Sequence, residues 1–173
     1  MAARNPIPEE MKWQVAAKIA SAIPVVYGQF FRPVVGDTYD RIEQQVWVFL
    51  AQEALKVART YHLPARNAGE LAATLEIITT VFFGSELKAE AAVFEDDRAV
   101  LMIRRCPFQI REQELQSTSG EIFNRCLAFS ISAVEALNPD YTLRFIRSAC
   151  QGDRNCEIKI ARKEILDPDK KRE

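Results

Sequence analysis

Cys106, Cys126, Cys150 and Cys156 are the side chains in this sequence with the most chemistry available to them, since a thiolate is both a nucleophile and a metal ligand. Their spacing, Cys106-x19-Cys126-x23-Cys150-x5-Cys156, contains no CxxC pair, so a shared site must be assembled by the fold. Local context supplies a route. Cys150 and Cys156 flank Gln151-Gly152-Asp153-Arg154-Asn155, a run of turn formers, so a hairpin would set them as a cross-strand pair roughly 4.5–5.5 Å apart. Cys126 falls on the apolar stripe of a helix with Phe129, and Cys106 closes a strand before Pro107, whose missing donor suits a strand exit. The expectation is a tetrahedral zinc site using three or four of these sulfurs at about 2.3 Å. An iron–sulfur cluster is the alternative, and incidental burial of four free thiols is the plain reading. With three cysteine ligands, Glu157, Asp153 or water would complete the set.

Other side chains offer chemistry too. His62, the single histidine, sits at a helix end where an imidazole meets terminal carbonyls, which leaves little room for His-dependent nucleophilic catalysis. Glu76 interrupts an apolar helix face and would act as a general acid only if it faced a pocket. Arg104 and Arg144 share strand parity with Cys106 and Cys150, so they can either receive an anion or cover a solvated sheet face. Phe82, Phe83, Met102, Phe123, Phe129 and Phe145 are the candidate lining of an apolar ligand pocket, against the simpler role of core filling. No GxGxxG or GxxxxGK loop occurs, which argues against nucleotide-dependent chemistry.

These residues need a scaffold, and 173 residues suffice for one domain. Hydrophobic residues are 48% and charged residues 27%, the composition of a folded globular chain. Lys+Arg 23 against Asp+Glu 24 gives a net charge of −1 without a basic stripe, so neither nucleic acid nor an anionic membrane is expected as partner. The start Met1-Ala2-Ala3-Arg4 lacks a signal-type apolar region and no run reaches about 18 apolar residues, which predicts a cytoplasmic protein. A helix is expected from residue 8 to about 23, halted near Pro24, followed by an irregular apolar stretch from Tyr27 to Gly36 wrapped on the core or a second subunit. Periodicity predicts a long helix from Asp37 to Tyr61 and another from Asn67, capped with Glu70, to Gly84. Leu87 to Phe94 and Ala99 to Arg105 read as a hairpin. Thr118 and Glu121 cap a helix ending before Asn138-Pro139, and Tyr141 to Cys150 with Cys156 to Arg162 read as a second hairpin. The fold class is therefore α+β: N-terminal helices, then two β-hairpins joined by a long helix, the helices packed on an antiparallel sheet. In domain terms this is a helical extension at 1–36, one α+β domain at 37–166 and a tail at 167–173.

The order hairpin, Cys-bearing helix, hairpin, with Cys150-Gln151-Gly152-Asp153-Arg154-Asn155-Cys156 at the last turn, resembles the 4-vinyl reductase-type small-molecule-binding domain over about Gly84 to Arg162. The resemblance implies that Cys126, Cys150 and Cys156 bind zinc as in sensor-type members. Arg147 stands about where those members carry a glutamate, which leaves the fourth ligand open with Cys106 as the candidate replacement. Some relatives are also similar to L-2-amino-thiazoline-4-carboxylate hydrolases. Three functions follow as expectations. The favoured one is a zinc-stabilised sensor or carrier domain for a small apolar or aromatic ligand, forming a homodimer through its N-terminal helices and Phe30-Phe31. The alternative is a hydrolase or reductase in which the metal or Cys106 acts directly on a small heterocyclic or aromatic substrate; whether the protein is an enzyme stays open. A structural subunit of an assembly is the third.

Overall fold

The computed structural model describes residues 6–94, 97–117 and 122–166. Helices α1 (Glu9–Val35), α2 (Thr38–Thr60) and α3 (Ala68–Phe83) precede strands β1 (Lys88–Phe94) and β2 (Arg98–Arg105). Helices α4 (Pro107–Glu114) and α5 (Ile122–Leu137) follow, then β3 (Tyr141–Arg147), a 3-10 turn at Ala149–Gln151, β4 (Cys156–Arg162) and α6 (Lys163–Leu166). The strands form one antiparallel sheet in the order β1-β2-β4-β3, so the second hairpin inserts β4 beside β2. Helices α3 and α5 pack on the sheet and α2 packs on α5, the expected α+β arrangement.

Alternation builds the buried face. Ala99 and Leu101 of β2 and Ile158 and Ile160 of β4 point under the helices, and Leu71, Leu75 and Ile78 of α3 meet them at helical spacing. Asn67 Oδ1 accepts the Glu70 N–H at 2.9 Å, which starts α3 where the cap was read. Gly84 ends it with φ 89°, and a Cβ there would lie 2.6 Å from the Ala17 Cβ of α1, so the close approach of these helices requires glycine.

The first helix departs from expectation. It does not stop at Pro24 but runs 27 residues through Pro24 and Pro33, and the stretch from Tyr27 onward is helix instead of an irregular wrap. Each internal proline removes a backbone bond and costs roughly 3 kcal/mol. Packing offsets it: Ala17, Ser21, Val25 and Gly28, spaced four, four and three apart, are buried along one stripe.

Two further differences bear on the cysteines. Strand β2 leads directly into the short helix α4, with Cys106 just before it and Pro107 at its first turn, where a missing N–H is harmless. Strand β3 stops at Arg147 after an irregularity beyond Phe145, so Cys150 lies in the 3-10 turn and the expected strand register with Cys156 does not form; Ile103 of β2 stands opposite Cys156. The expected cap at Thr118 and Glu121, and the tail at 167–173, lie outside the described residues.

Candidate functional site: a thiol-lined cavity beside an apolar groove

Between α2, α3, α4, α5 and the sheet lies an enclosed apolar cavity of about 40 Å³. All four cysteines line it: Cys106 from the end of β2, Cys126 from α5, Cys150 from the 3-10 turn and Cys156 from the start of β4. The fold therefore gathers sulfurs that are remote in the chain. It does not gather them as a coordination set: among the described residues, no three or more His, Cys, Asp or Glu side chains are grouped to hold a metal ion. That finding corrects the expected metal-binding zinc centre on Cys106, Cys126, Cys150 and Cys156. The proposed completing carboxylates are occupied elsewhere. Asp153 Oδ2 accepts the Ser148 N–H at 2.8 Å, closing the turn, and Glu157 pairs with Arg147 at 3.4 Å on the sheet surface.

The thiols are unlike one another. Cys150 and Cys156 hydrogen-bond each other; Cys150 Sγ lies 3.2 Å from Ser148 Oγ, and Cys156 Sγ accepts the Ala149 N–H at 3.3 Å. The hydrogen bond from Cys156 stabilises a Cys150 thiolate against burial and, with Ser148, pulls its pKa down to about 6. The same hydrogen bond, with burial, raises Cys156, so one proton is shared and resides on Cys156. Burial pushes Cys106 up and Cys126 well up, leaving both as neutral thiols.

The remaining wall is aromatic. Phe83 and Phe108 rings sit 4.9 Å apart, Trp47 and Phe108 5.5 Å, and Phe83 and Phe129 5.6 Å, in edge-to-face contacts. Trp47 and Phe83 also form the floor of a second, larger space, a groove of about 540 Å³ between α1, α2 and the end of α3. Ile23, Ile42, Val46, Leu50 and Phe82 give it an apolar lining, with Tyr39 and Glu43 as its polar corner. Of the pocket candidates, Phe83, Phe129 and Phe145 line the cavity and Phe82 the groove. Phe123 stacks on Phe145 at 5.3 Å, one layer behind the cavity, and Met102 lies on β2 opposite Glu90 and Glu157.

Arg125, which the sequence reading passed over, sits where the two spaces meet. It is 1% exposed, lines the cavity, and donates from Nε to Glu43 Oε1 at 2.9 Å, while Nη1 and Nη2 have no hydrogen-bond partner. A Cβ on Gly28 of α1 would come 3.1 Å from Nη2, so glycine there lets α1 lie over the guanidinium. Glu43 also accepts from Tyr39 OH at 3.1 Å, and burial together with that carboxylate pushes Tyr39 up to about 12. The signal for Arg125 was its place one turn before Phe129, on the same side of the helix.

The other candidates have ordinary duties. Glu76 Oε2 accepts the Ala91 N–H at 3.2 Å from β1, Arg104 pairs with Glu90 at 3.1 Å on the exposed sheet face, and Arg144 donates to the Leu166 carbonyl at 2.8 Å. His62 adopts φ 52° just past the end of α2. No helix among the described residues is long and apolar enough to cross a membrane.

No protein-family model matches the chain, and no curated protein matches it. Its fold is similar to that of a solved structure, the crystal structure of a trafficking protein particle complex subunit 3 from Naegleria fowleri covalently bound to palmitic acid. The TM-score is 0.51 at 12% identity, over 90% of this chain and 98% of that chain. The structural likeness is thus to a trafficking subunit and not to a reductase-like domain, which corrects the 4-vinyl reductase label attached to the cysteine pattern.

Proposed function

We propose that the protein is a carrier or sensor domain that holds a small apolar molecule in the groove between α1, α2 and α3. The groove itself carries the reading. Its volume of about 540 Å³ falls in the range of small-molecule sites, roughly 300–1,000 Å³, and its lining is apolar with a single polar corner at Tyr39 and Glu43. The cavity behind Trp47 and Phe83, at about 40 Å³, has room for about three waters by the usual measure of some 10–15 Å³ each, and takes the inner end of a ligand only when those rings turn. The palmitic acid bound to the trafficking subunit of similar fold supports an elongated aliphatic ligand.

The test uses Trp47 as reporter. In a Trp13→Phe background, palmitic acid below its micellar range is expected to change Trp47 emission saturably at one molecule per chain, and Val46→Asp at the groove is expected to abolish the change. Absence of a saturable response, or an equal response in Val46→Asp, overturns the assignment.

A second reading concerns assembly, and a specific observation favours it. Phe30 (69% exposed), Val34 (83%) and Phe49 (68%) expose large apolar side chains on α1 and α2, the two helices that wall the groove. Apolar patches of this kind mark interaction sites. The proposed occupant is a second copy of this chain, whose matching face would shield these side chains by two-fold pairing and roof the groove.

A further inference from the structure

Two of the four thiols touch each other, and one of them is reachable. Cys150 lines the apolar cavity on one side and, on the other, an open polar cleft of about 400 Å³ formed with Gln109, Glu112, Gln113 and Ala149. Cys156 is buried behind it, hydrogen-bonded to it and held by the Ala149 N–H. One sulfur at an opening and a second directly behind it is the arrangement in which an oxidised first thiol is intercepted by the next.

From this geometry we infer that Cys150 and Cys156 are a redox-reactive dithiol that reduces a hydroperoxide and closes to a disulfide, with Cys150 oxidised first and Cys156 resolving. In the first step the Cys150 sulfur attacks the terminal peroxide oxygen. The O–O bond breaks, an S–O bond forms, and the departing oxygen takes a proton from solvent to leave as water or an alcohol. In the second, Cys156 Sγ displaces the hydroxyl from the Cys150 sulfenic acid, which leaves as water with the Cys156 proton. Two electrons pass from the dithiol to the peroxide and the S–S bond forms at about 2.05 Å.

The surroundings permit the closure. The chain between the two cysteines runs through Gly152 at φ 105°, with nothing within 4 Å of where its Cβ would be, so the turn can draw in without meeting a neighbour. Cys106 and Cys126 lie in the same cavity wall and neither borders the cleft. Glu112 places a carboxylate at the cleft, which favours a neutral oxidant over an anionic one such as oxidised glutathione.

The test treats the reduced full-length protein with one equivalent of hydrogen peroxide. The denatured thiol count is expected to fall from four to two, with a Cys150–Cys156 disulfide in the non-reduced digest. Cys156→Ser should trap a dimedone-reactive sulfenic acid on Cys150, Cys150→Ser should lose the rapid reaction, and Cys106→Ser should keep it. Circular dichroism of each serine variant confirms that it is folded before it is scored. A disulfide joining Cys106 to Cys126, a rapid thiol loss retained in Cys150→Ser, or reaction no faster than free cysteine overturns the dithiol. Equal closure with oxidised glutathione overturns the hydroperoxide assignment.

Discussion

Asp97 shows how much one side chain can organise. Its Oδ1 accepts the Ala68 N–H at the start of α3 at 2.8 Å, and its Oδ2 accepts from Tyr141 OH of β3 and from Arg162 Nε of β4, the latter at 3.2 Å. Burial alone would raise its pKa, but the hydrogen bonds from Tyr141 and Ala68 and the charge of Arg162 outweigh burial and hold it below the ordinary carboxylate value. A depressed carboxyl contributes stability that is fully present above its unfolded pKa, about 3.9, and is lost as pH falls through the folded value. Asp97→Asn keeps a residue tolerant of the φ of 54° found there. We expect the variant to be less stable by on the order of 1–2 kcal/mol at pH 7, with the gap closing below about pH 4 as the wild-type carboxyl protonates. Urea unfolding of both proteins across pH measures it, and a gap independent of pH would refute the electrostatic role. The short alternating strands and the turn around Asp97 were legible from sequence; that this carboxylate ties one helix start to two strands was not, because its partners are 29, 44 and 65 residues away.

Among the elements, α5 carries the largest discrepancy between pattern and outcome. The sequence places Cys126 with Phe129 on its inward stripe, and the structure buries Arg125 and Ser130 with Ile122, Phe129 and Ala133. The stripe is displaced toward α2 because α5 packs on both α2 and β3, so two faces are covered instead of one. Arg125 is tolerable there only because Glu43 of α2 meets it at 2.9 Å. Removing one partner of a buried pair leaves an uncompensated charge and costs about 3–5 kcal/mol, whereas replacing both by apolar groups is often neutral. Glu43→Gln is therefore expected to lower the unfolding free energy by about 3 kcal/mol, and Glu43→Leu with Arg125→Met to recover most of the loss. Equal destabilisation by single and double changes, read from urea midpoints, would show that the pair does not hold α2 to α5. In α1, the reading of Pro24 as a stop failed for a related reason: local backbone cost was visible in the sequence, and the stripe of Ala17, Ser21, Val25 and Gly28 that offsets it matters only once α3 and α5 are beside it.

For the whole molecule, the apolar side chains that α1 and α2 expose, Phe30, Val34 and Phe49 among them, pose the question of a partner. If a second copy covers them, light scattering after gel filtration should give twice the chain mass at micromolar concentration, and Phe30→Asp with Phe49→Asp should give a folded monomer. A monomeric wild type would refute self-association. The α+β class, with its three leading helices and its two hairpins on either side of a long helix, was determined by the sequence alone, because periodicities of 3.6 and 2 are local properties of neighbouring residues, whereas the short α4 was not read. The supply of four thiols was likewise determined by the sequence. Only the tertiary structure decided that these thiols line an apolar wall without forming a coordination set, that Cys150 pairs with Cys156 through a 3-10 turn and not a strand register, and that Arg125 lies between cavity and groove. Each of those outcomes depends on how α2, α4 and α5 approach one another, and distance between side chains remote in the chain is not encoded in the spacing of either.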